Sequence, residues 1–367
     1  MGRYTTLGSL FDGIGGFPLA ALKVGIKPEW ASEIEKAPIS ITKRHFPEMR
    51  HLGDIKKING AEIEPVDVIT FGSPCQDLSI AGLRAGLDGE RSGLFRQALR
   101  IVKEMRYAKG NHCPGRIVWE NVPGAFSSNK GRDFQTVIEE ISKIAEPGIS
   151  IPRPSQKIGW LAAGAVVGDS WSLAWRVLDA QYWGVPQRRR RIFIVADFGN
   201  RCAGEILFKP ESGTGDYTEG GEKRDSIAGN VNNSDKQFCI EVGYSSDRVH
   251  FNSQAAVTLK SGGGGCGAKT GLYYLPFIRN SFSSYIEGTI GKTLTTSHDI
   301  VNGDLIANEY SVRRLTPMEC ERLQGFPDGW TEYGNDGKRI SDNQRYKALG
   351  NSVAIPCVVR VLSGLVH

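Results

Sequence analysis

Several short apolar runs in this 367-residue chain stop abruptly at a glycine-rich or polar motif, and this pattern constrains the fold most. Such runs are typical of strands buried on both faces, since a half-buried strand alternates apolar and polar residues. The runs are Thr6–Phe11, Val66–Phe71, Arg116–Trp119 and Arg191–Ala196. Helical patterns lie between them, at Pro18–Val24, Leu94–Arg106 and Asp133–Ile144. Strands that alternate with helices predict an α/β fold with a parallel sheet covered on both faces.

The sequence changes character near Asp197. From residue 199 to 309 glycine, serine and asparagine dominate and helical periodicity is absent, which predicts a smaller, irregular, mostly β domain. A long flexible insertion is the alternative. Helical patterns return at Thr316–Gln324 and Ala354–Leu365. We therefore predict a core of residues 1–198, interrupted by an insert of residues 199–309 and completed by residues 310–367.

Composition excludes several classes of protein. The net charge of +5 permits a polyanionic partner without requiring one. The seven cysteines are scattered and form no C-x-x-C pair, which argues against a metal site and favours a reducing compartment. The first residues lack the long apolar stretch of a signal peptide, and no apolar run approaches the ~20 residues that span a membrane. We therefore expect a cytoplasmic protein with no membrane partner.

The first polar motif, Phe11–Pro18, directly follows a predicted strand and opens a predicted helix. Glycines there allow a sharp turn and a close approach of backbone to a ligand, and Pro18 suits the first helical position. The motif is not the dinucleotide pattern, because proline stands where its third glycine belongs. Glu33 follows about twenty residues on, where an acidic residue can hold ribose hydroxyls. A purely structural tight turn explains the glycines equally well.

Two further motifs follow apolar runs. Cys75 comes after Val66–Phe71, and a thiol at the end of a parallel strand lies where α/β proteins bind ligands. A reactive nucleophile and a buried structural cysteine remain equally compatible with this position. Glu120 follows Arg116–Trp119, where it is either a proton donor to a ligand or an ordinary acid in a turn.

Four consecutive arginines, residues 188–191, precede the last of these runs. In extended chain alternate side chains share a face, so Arg189 and Arg191 should point one way and Arg188 and Arg190 the other. One pair could then enter a pocket while the other meets phosphates. The alternative is a solvated run of charge.

Taken together, these motifs resemble those of the DNA (cytosine-5) methyltransferase family. LFDGIGGFPLAAL resembles its cofactor motif, GSPCQDLS its nucleophile motif, WENVPG its acid motif and YWGVPQRRRRIFIVA its Q-x-R-x-R motif. RRLTPMECERLQGFPDGW and ALGNSVAIP resemble its two C-terminal motifs. All six occur in the family's order. The insert lies where the family keeps its target-recognition domain.

The resemblance implies a Rossmann-like, S-adenosylmethionine-dependent methyltransferase core and a role for each matching residue. Cys75 would be the nucleophile and Glu120 the carboxyl that contacts the target cytosine, with Arg189 and Arg191 supporting the base. The residues implied at the S-adenosyl-L-methionine pocket are Phe11, Asp12, Gly13, Gly15, Gly16, Glu33, Asp54, Ile55, Pro74, Asn351, Ser352 and Val353. Those implied at DNA are Gln76, Ser79, Arg91 and Gln187. Ile34 departs from the family, which usually has an aromatic residue after the ribose-binding acid.

The chemistry of such a reaction suits these residue types. Carbon C5 of cytosine is a poor nucleophile until a thiolate adds to C6, so the reaction needs an activated cysteine and an acid at ring nitrogen N3. The base must leave the stack, because attack comes from above the ring. The glycine-containing segment of residues 80–93 suits a lid that closes over bound DNA. The product of the cofactor would be S-adenosyl-L-homocysteine.

Three alternatives remain beside a double-stranded DNA enzyme. A transfer RNA cytosine-5 methyltransferase shares the same core, although its insert is expected to be shorter. A non-catalytic DNA-binding relic need not keep Cys75 and Glu120 together, and a thiol hydrolase would bind no sulfonium cofactor. The resemblance further implies a monomer that associates with the nucleoid, with a cognate restriction endonuclease as a partner where the chain belongs to such a system. Which insert residues read the DNA sequence does not follow from the amino-acid sequence.

Overall fold

A computed structural model gives the fold of the chain. It describes residues 5–73, 93–155, 157–208 and 313–366, with the backbone of five strands between residues 238 and 287. The helices are α1 (Gly16–Lys23), α2 (Lys36–His45), α3 (Gly93–Ala108), α4 (Arg132–Ser142), α5 (Ala203–Phe208), α6 (Pro317–Gln324), α7 (Asp342–Asn351) and α8 (Ile355–Ser363). The strands of the main sheet are β1 (Thr6–Leu10), β2 (Lys27–Ser32), β3 (Arg50–His51), β4 (Val68–Phe71), β5 (Arg116–Asn121), β6 (Ala163–Val167), β7 (Ser172–Asp179) and β8 (Arg190–Asp197).

The main sheet has the strand order β3-β2-β1-β4-β5-β8-β7-β6. The first five strands in this order are parallel, whereas β8, β7 and β6 pair antiparallel. The predicted α/β fold is confirmed, but a wholly parallel sheet is wrong. Only residues 168–171 join β6 to β7, and residues 180–189 join β7 to β8. Connections this short cannot carry the crossover that parallel neighbours require, so the chain turns back antiparallel.

The predicted strands and helices are all present within a few residues of the expected bounds. Pro18 is the third residue of α1 and not the first, because the helix already begins at Gly16. The position still costs no hydrogen bond, since the first four N–H groups of a helix have no intrahelical partner. Strands β2, β3, β6 and β7 and helices α2, α5 and α7 were not predicted.

The two faces of the sheet carry separate apolar clusters. Val118 and Val195 face a cluster that includes residues of α1, α6 and α8, and Ile117 and Trp119 face one that includes α3 and α4. Successive strand residues point to opposite faces, so both neighbours in sequence are buried. The segment after residue 313 therefore completes one covering layer of the sheet. No helix in the described ranges is long and apolar enough to cross a membrane.

The backbone described between residues 209 and 314 is extended. Strands β9 (Phe238–Val242), β10 (Val249–Asn252), β11 (Leu272–Tyr274) and β14 (Arg313–Arg314) form one antiparallel sheet, and β12 (Phe277–Ser281) pairs with β13 (Ser284–Glu287). Helix α5 lies beyond residue 198, the predicted end of the first core segment, yet it packs against β7 and β8.

Gly8 of β1 lies directly beneath the indole of Trp30 on β2. A Cβ atom at Gly8 would lie 2.2 Å from ring carbon Cζ2, and Trp30 is itself only 1% exposed. Gly8→Ala is therefore expected to lower the free energy of unfolding by about 1–3 kcal/mol, the usual cost of overpacking a core. The measurement is the urea midpoint. Gly148→Ala is the control, because no atom lies within 4 Å of its Cβ position; equal midpoints for the two variants would contradict the prediction.

Candidate functional site

One row of paired residues runs across five neighbouring strands of the main sheet and brings the predicted motifs to the same level. Ser32 pairs with Leu10, Leu10 with Phe71, Phe71 with Trp119, and Trp119 with Ile194. Because the first four strands run in the same direction, the residues that follow them emerge side by side at one edge of the sheet. These residues are Glu33, Phe11 and Gly72, which follow β2, β1 and β4, and Glu120, which follows Trp119 within β5.

Glu120 forms an ion pair at this edge. Its Oε1 lies 3.0 Å from Nε of Arg191, and the two side chains are only 11% and 15% exposed. The pairing of β5 with β8 produces this contact, because Asn121 lies opposite Ile192. Charges this sheltered from water interact more strongly than exposed ones. The ion pair thus holds the carboxylate in one position. Its other oxygen, Oε2, lies near Gly72, where a Cβ atom added to the glycine would be 3.2 Å from Oε2.

The chain that leads to Cys75 is fixed up to Ser73. The indole Nε1 of Trp119 donates to the hydroxyl of Ser73 over 3.2 Å, and the side-chain amide of Asn121 donates to its carbonyl oxygen over 3.0 Å. Both donors belong to β5, the strand that carries Glu120. The nucleophile motif and the acid motif therefore lie at the ends of two adjacent strands, β4 and β5, and these hydrogen bonds join the two motifs. Five predicted site residues lie outside the described residues: Pro74, Cys75, Gln76, Ser79 and Arg91. So does most of the predicted lid, residues 80–92.

The turn after β1 is shaped by residues with positive φ. Phe11, Gly13 and Gly15 have φ of 54°, 59° and 80°. This left-handed backbone suits glycine and is uncommon for phenylalanine. No atom lies within 4 Å of a Cβ position on Gly13, so the turn faces open space there. At Gly16 the opposite holds, since a Cβ atom would lie 2.6 Å from Cγ2 of Val353.

Glu33 binds the glycine turn from the neighbouring strand. Its Oε2 accepts from the backbone N–H of Gly13 over 2.9 Å, and its Oε1 accepts from the N–H groups of Ile34 and Glu35. A carboxylate offers about four acceptor positions, so roughly one remains for a ligand hydroxyl. Asp54, which caps the turn Ile55–Lys57 through the N–H of Lys56, follows close by in space. The hydroxyl of Ser32 holds this segment by donating to the carbonyl oxygen of Gly53.

The C-terminal segment closes the same turn from the other side. Ser352 and Val353 are buried against Gly16, whereas Asn351, the last residue of α7, is exposed. The indole Nε1 of Trp330 donates to the carbonyl oxygen of Ile14 over 2.9 Å. Trp330 was missed by the sequence analysis, because a bond across 316 positions leaves no local signal.

The four arginines alternate as predicted. Arg188 and Arg190 are exposed, Arg189 is 2% exposed and Arg191 turns inward to Glu120. The guanidinium of Arg189 donates to the backbone carbonyl oxygens of Gly350 and Ser352, which joins the arginine motif to the last motif. The same alternation turns Gln187 inward, where it is fully buried. This placement does not fit the predicted contact of Gln187 with DNA.

Asp12 is an acidic residue of the site whose side chain is buried. Both of its carboxyl oxygens are buried, and neither makes a well-formed hydrogen bond to a described residue, although the hydroxyls of Ser9 and Thr42 lie close by. Burial, together with the nearby carboxylate of Glu33, raises the pKa of Asp12 from 3.8 to about 7, while the hydroxyls of Ser9 and Thr42 oppose the shift. Buried polar groups without partners are uncommon and call for a ligand or another explanation.

These observations fit the cofactor that the resemblance implies. Glu33 retains an acceptor position for a ribose hydroxyl, Gly13 borders open space, and Asp12 offers a buried carboxyl group whose ionised form a cationic ligand would stabilise. Ser352 and Val353 limit the pocket at Gly16. The residues present are therefore compatible with a sulfonium nucleoside.

Replacement of Asp12 by asparagine tests its ionisation. Asp12 is protonated in the folded chain up to about pH 7, whereas in the unfolded chain it loses its proton near 3.8. Its contribution to stability is therefore complete below the unfolded pKa and is lost as pH rises to the folded one. We expect Asp12→Asn to gain stability relative to the parent between about pH 4 and pH 7. Urea midpoints across this range measure the difference, and parallel curves for the two proteins would contradict it.

Comparison with known proteins agrees with this geometry. The family model of the C-5 cytosine-specific DNA methylase matches residues 5–145 and 165–367. The chain is 29% identical over 450 residues to a protein of Escherichia phage P1 named DNA N-6-adenine-methyltransferase, covering 95% of this chain and 59% of that one. It is 28% identical over 350 residues to the type II methyltransferase M1.ScrFI of Lactococcus lactis subsp. cremoris, covering 95% and 75%.

A solved structure shares the fold. The Dnmt2 methyltransferase of S. pombe superposes with a TM-score of 0.62 at 19% identity, over 98% of each chain. The family model covers most of the chain, and its match includes the glycine turn, Glu120, the arginine pair and the C-terminal segment. The chain belongs to the C-5 cytosine-specific DNA methylase family, whose members are methyltransferases that use S-adenosyl-L-methionine.

Proposed function

We propose that the chain is a DNA (cytosine-5) methyltransferase that modifies a flipped cytosine within a short recognition sequence of double-stranded DNA. The observation that carries this proposal is the sheltered ion pair of Glu120 with Arg191, placed beside the strand end from which the chain continues to Cys75. This arrangement puts an acid next to the start of a thiol-bearing segment. A cytosine ring attacked at C6 by sulfur requires such an acid at N3.

The chemistry follows from the roles of these residues. The thiolate of Cys75 adds to C6 while the carboxyl group of Glu120 gives a proton to N3 and so neutralises the negative charge that develops there, which makes C5 an enamine carbon. S-adenosyl-L-methionine, when bound, supplies the electrophilic methyl group that C5 attacks. Loss of the C5 proton, departure of the Cys75 thiolate and return of the N3 proton to Glu120 restore the aromatic ring. Arg191 keeps the Glu120 carboxylate oriented, and Arg189 anchors the arginine segment to the backbone near Ser352.

The rest of the chain has proposed roles in recognition. Residues 199–309 form the target-recognition domain between the two parts of the catalytic core, residues 1–198 and 310–367, and their polar side chains read base edges. The enzyme acts as a monomer, and a restriction endonuclease of the same specificity is its partner if the chain belongs to a restriction-modification system. The support is the β structure of the described strands and the type II methyltransferase among the relatives.

The first experiment is methyl transfer from labelled S-adenosyl-L-methionine to a DNA library and to transfer RNA, with identification of the methylated base. We expect C5-methylcytosine within one short DNA motif. The name of the phage P1 relative makes the adenine product a necessary comparison. N6-methyladenine in DNA, or methylation confined to transfer RNA, would overturn the proposal.

Replacements of Cys75 and Glu120 separate chemistry from binding. Cys75→Ser should abolish methyl transfer, and Glu120→Gln should slow single-turnover transfer by roughly 10²–10⁴-fold, the usual contribution of a positioned acid. Both should keep the cofactor affinity of the parent in calorimetry. Asp328→Asn, which removes an exposed carboxylate paired with Arg322, is the control and should keep full activity. Substantial turnover by Cys75→Ser would remove this residue from the mechanism.

Ile34 offers a test of the cofactor pocket alone. It follows Glu33, is 70% exposed and stands where the family usually has an aromatic residue. An aromatic ring stacked on a base gains about 1–3 kcal/mol, so Ile34→Trp should tighten cofactor binding by roughly fivefold or more. Calorimetry measures the dissociation constant, and Ile34→Leu is the control that keeps an aliphatic side chain. Equal affinity of the two variants would show that Ile34 does not border the adenine.

A further inference from the structure

Four cations form a surface cluster beside the proposed catalytic edge, here called the basic patch: Lys130, Arg132, Arg153 and Lys157. Lys130, Arg132 and Lys157 are exposed and Arg153 is half-buried. Between residues 122 and 135 the sequence contains one acid, Asp133, and between residues 147 and 160 it contains none. Asp133 is 1% exposed and accepts a hydrogen bond from Ser128. The positive charge of the patch is therefore not cancelled by acids of its own two segments.

The position of the patch follows from the sheet. Lys130 and Arg132 lie at the start of α4, where the chain leaves the end of β5 that carries Glu120. Arg153 and Lys157 precede β6, which begins opposite Arg176 of β7 and runs away from the catalytic edge. The exposed Arg190, at the start of β8, lies at the same edge. The positive charge thus extends from the Glu120 site toward the β6 side of the sheet.

Local contacts hold the patch in shape. A guanidinium nitrogen of Arg153 donates to the carbonyl oxygen of Lys130 over 3.2 Å, and Nε1 of Trp160 donates to that of Gly131 over 2.8 Å. The ring of Trp160 packs edge-on against Phe134, with centroids 5.2 Å apart. These contacts join the segment before β6 to the start of α4. A surface fixed in this way loses little freedom when it binds a partner.

The backbone at the patch is strained. Asn129 and Lys130 both have positive φ, 48° and 57°. Two consecutive non-glycine residues in this region cost free energy and tend to persist where the conformation serves a function. Here the side chain of Lys130 is exposed, whereas Asp133 is buried.

Half of the patch lies outside what the family has in common. The family model matches residues 5–145 and 165–367 and omits residues 146–164, which contain Arg153 and Lys157. Their role therefore does not follow from family membership.

We propose that the basic patch binds the phosphate backbone of duplex DNA beside the target cytosine. The inference rests on the proposed function, because it takes duplex DNA as the substrate. Phosphates attract uncancelled cations irrespective of base sequence, and each contact releases counterions from the duplex. A patch on the edge that carries Glu120 lies where DNA must pass when a base enters the site. The contact gives affinity and orientation and leaves sequence reading to other residues.

The salt dependence of binding tests the proposal. The probe is a fluorescent random-sequence duplex of about 30 base pairs, titrated between about 50 and 200 mM salt, because phosphate contacts need no specific sequence. The patch variant combines Lys130→Gln, Arg132→Gln and Lys157→Gln. The matched control combines Lys23→Gln, Lys103→Gln and Lys109→Gln, three exposed lysines on other parts of the core. Both variants lose the same net charge, and unchanged cofactor affinity verifies that each is folded.

Each phosphate contact contributes about 0.9 to the magnitude of the slope of log K against log salt concentration. The slope of the patch variant should therefore be smaller in magnitude than that of the parent by about 2–3. The control variant should keep the slope of the parent. If the two variants have equal slopes and the parent methylates DNA, the proposed role of the basic patch is wrong, whereas the proposed function stands. A parent that binds no duplex and methylates no DNA would overturn both.

Discussion

The parallel alignment of β2, β1, β4 and β5 is the constraint on which the site depends. Their cross-strand pairs fall in one row, so β2, β1 and β4 end at the same level, and the next residue of each, together with Glu120 of β5, projects at one edge. Residues up to 109 positions apart in sequence thereby become neighbours. The pairing of the strands brings them together, and contacts between their own side chains are not needed for this. The antiparallel β8 adds Arg191 to this edge from the opposite chain direction. A slip of one residue in any pair would turn the motif residue of that strand to the other face.

The C-terminal segment locks this arrangement through buried polar contacts. Glu321 is fully buried and accepts from the backbone N–H groups of Gly329 and Thr331 and from the guanidinium of Arg345. These bonds fix the loop that presents Trp330 to the carbonyl oxygen of Ile14. Removal of one partner from such a network leaves a buried charge uncompensated, which costs several kcal/mol. The glycine turn therefore depends on residues more than 300 positions away.

The sequence predicts those features whose signal is local. The glycine turn and the buried runs are visible because left-handed backbone and two-sided burial each restrict residue type. The direction of β8 is not visible, since an apolar run reads the same in a parallel or an antiparallel strand; only the short connections around β7 determine it. Strand β6 was not predicted, although its residues Ala163–Val167 are small or apolar, and its alternate residues are exposed. The bonds from Arg189 to Gly350 and Ser352 join motifs 161 and 163 positions apart, which no spacing rule anticipates.

The catalytic edge has acidic groups at one end and basic groups at the other. Near β1 and β2 the acidic groups are Glu33, which is bonded to backbone amides, and the buried Asp12, which a bound cation would help to ionise. Toward β8 and β6 the exposed groups are cations, including Arg190 and Lys157. A sulfonium nucleoside is a cation and a nucleic acid backbone is a polyanion, so each would meet charge of the opposite sign at its own end. Glu120 lies between these ends, and its pairing with Arg191 keeps a carboxylate beside the cations without repelling a phosphate that approaches them.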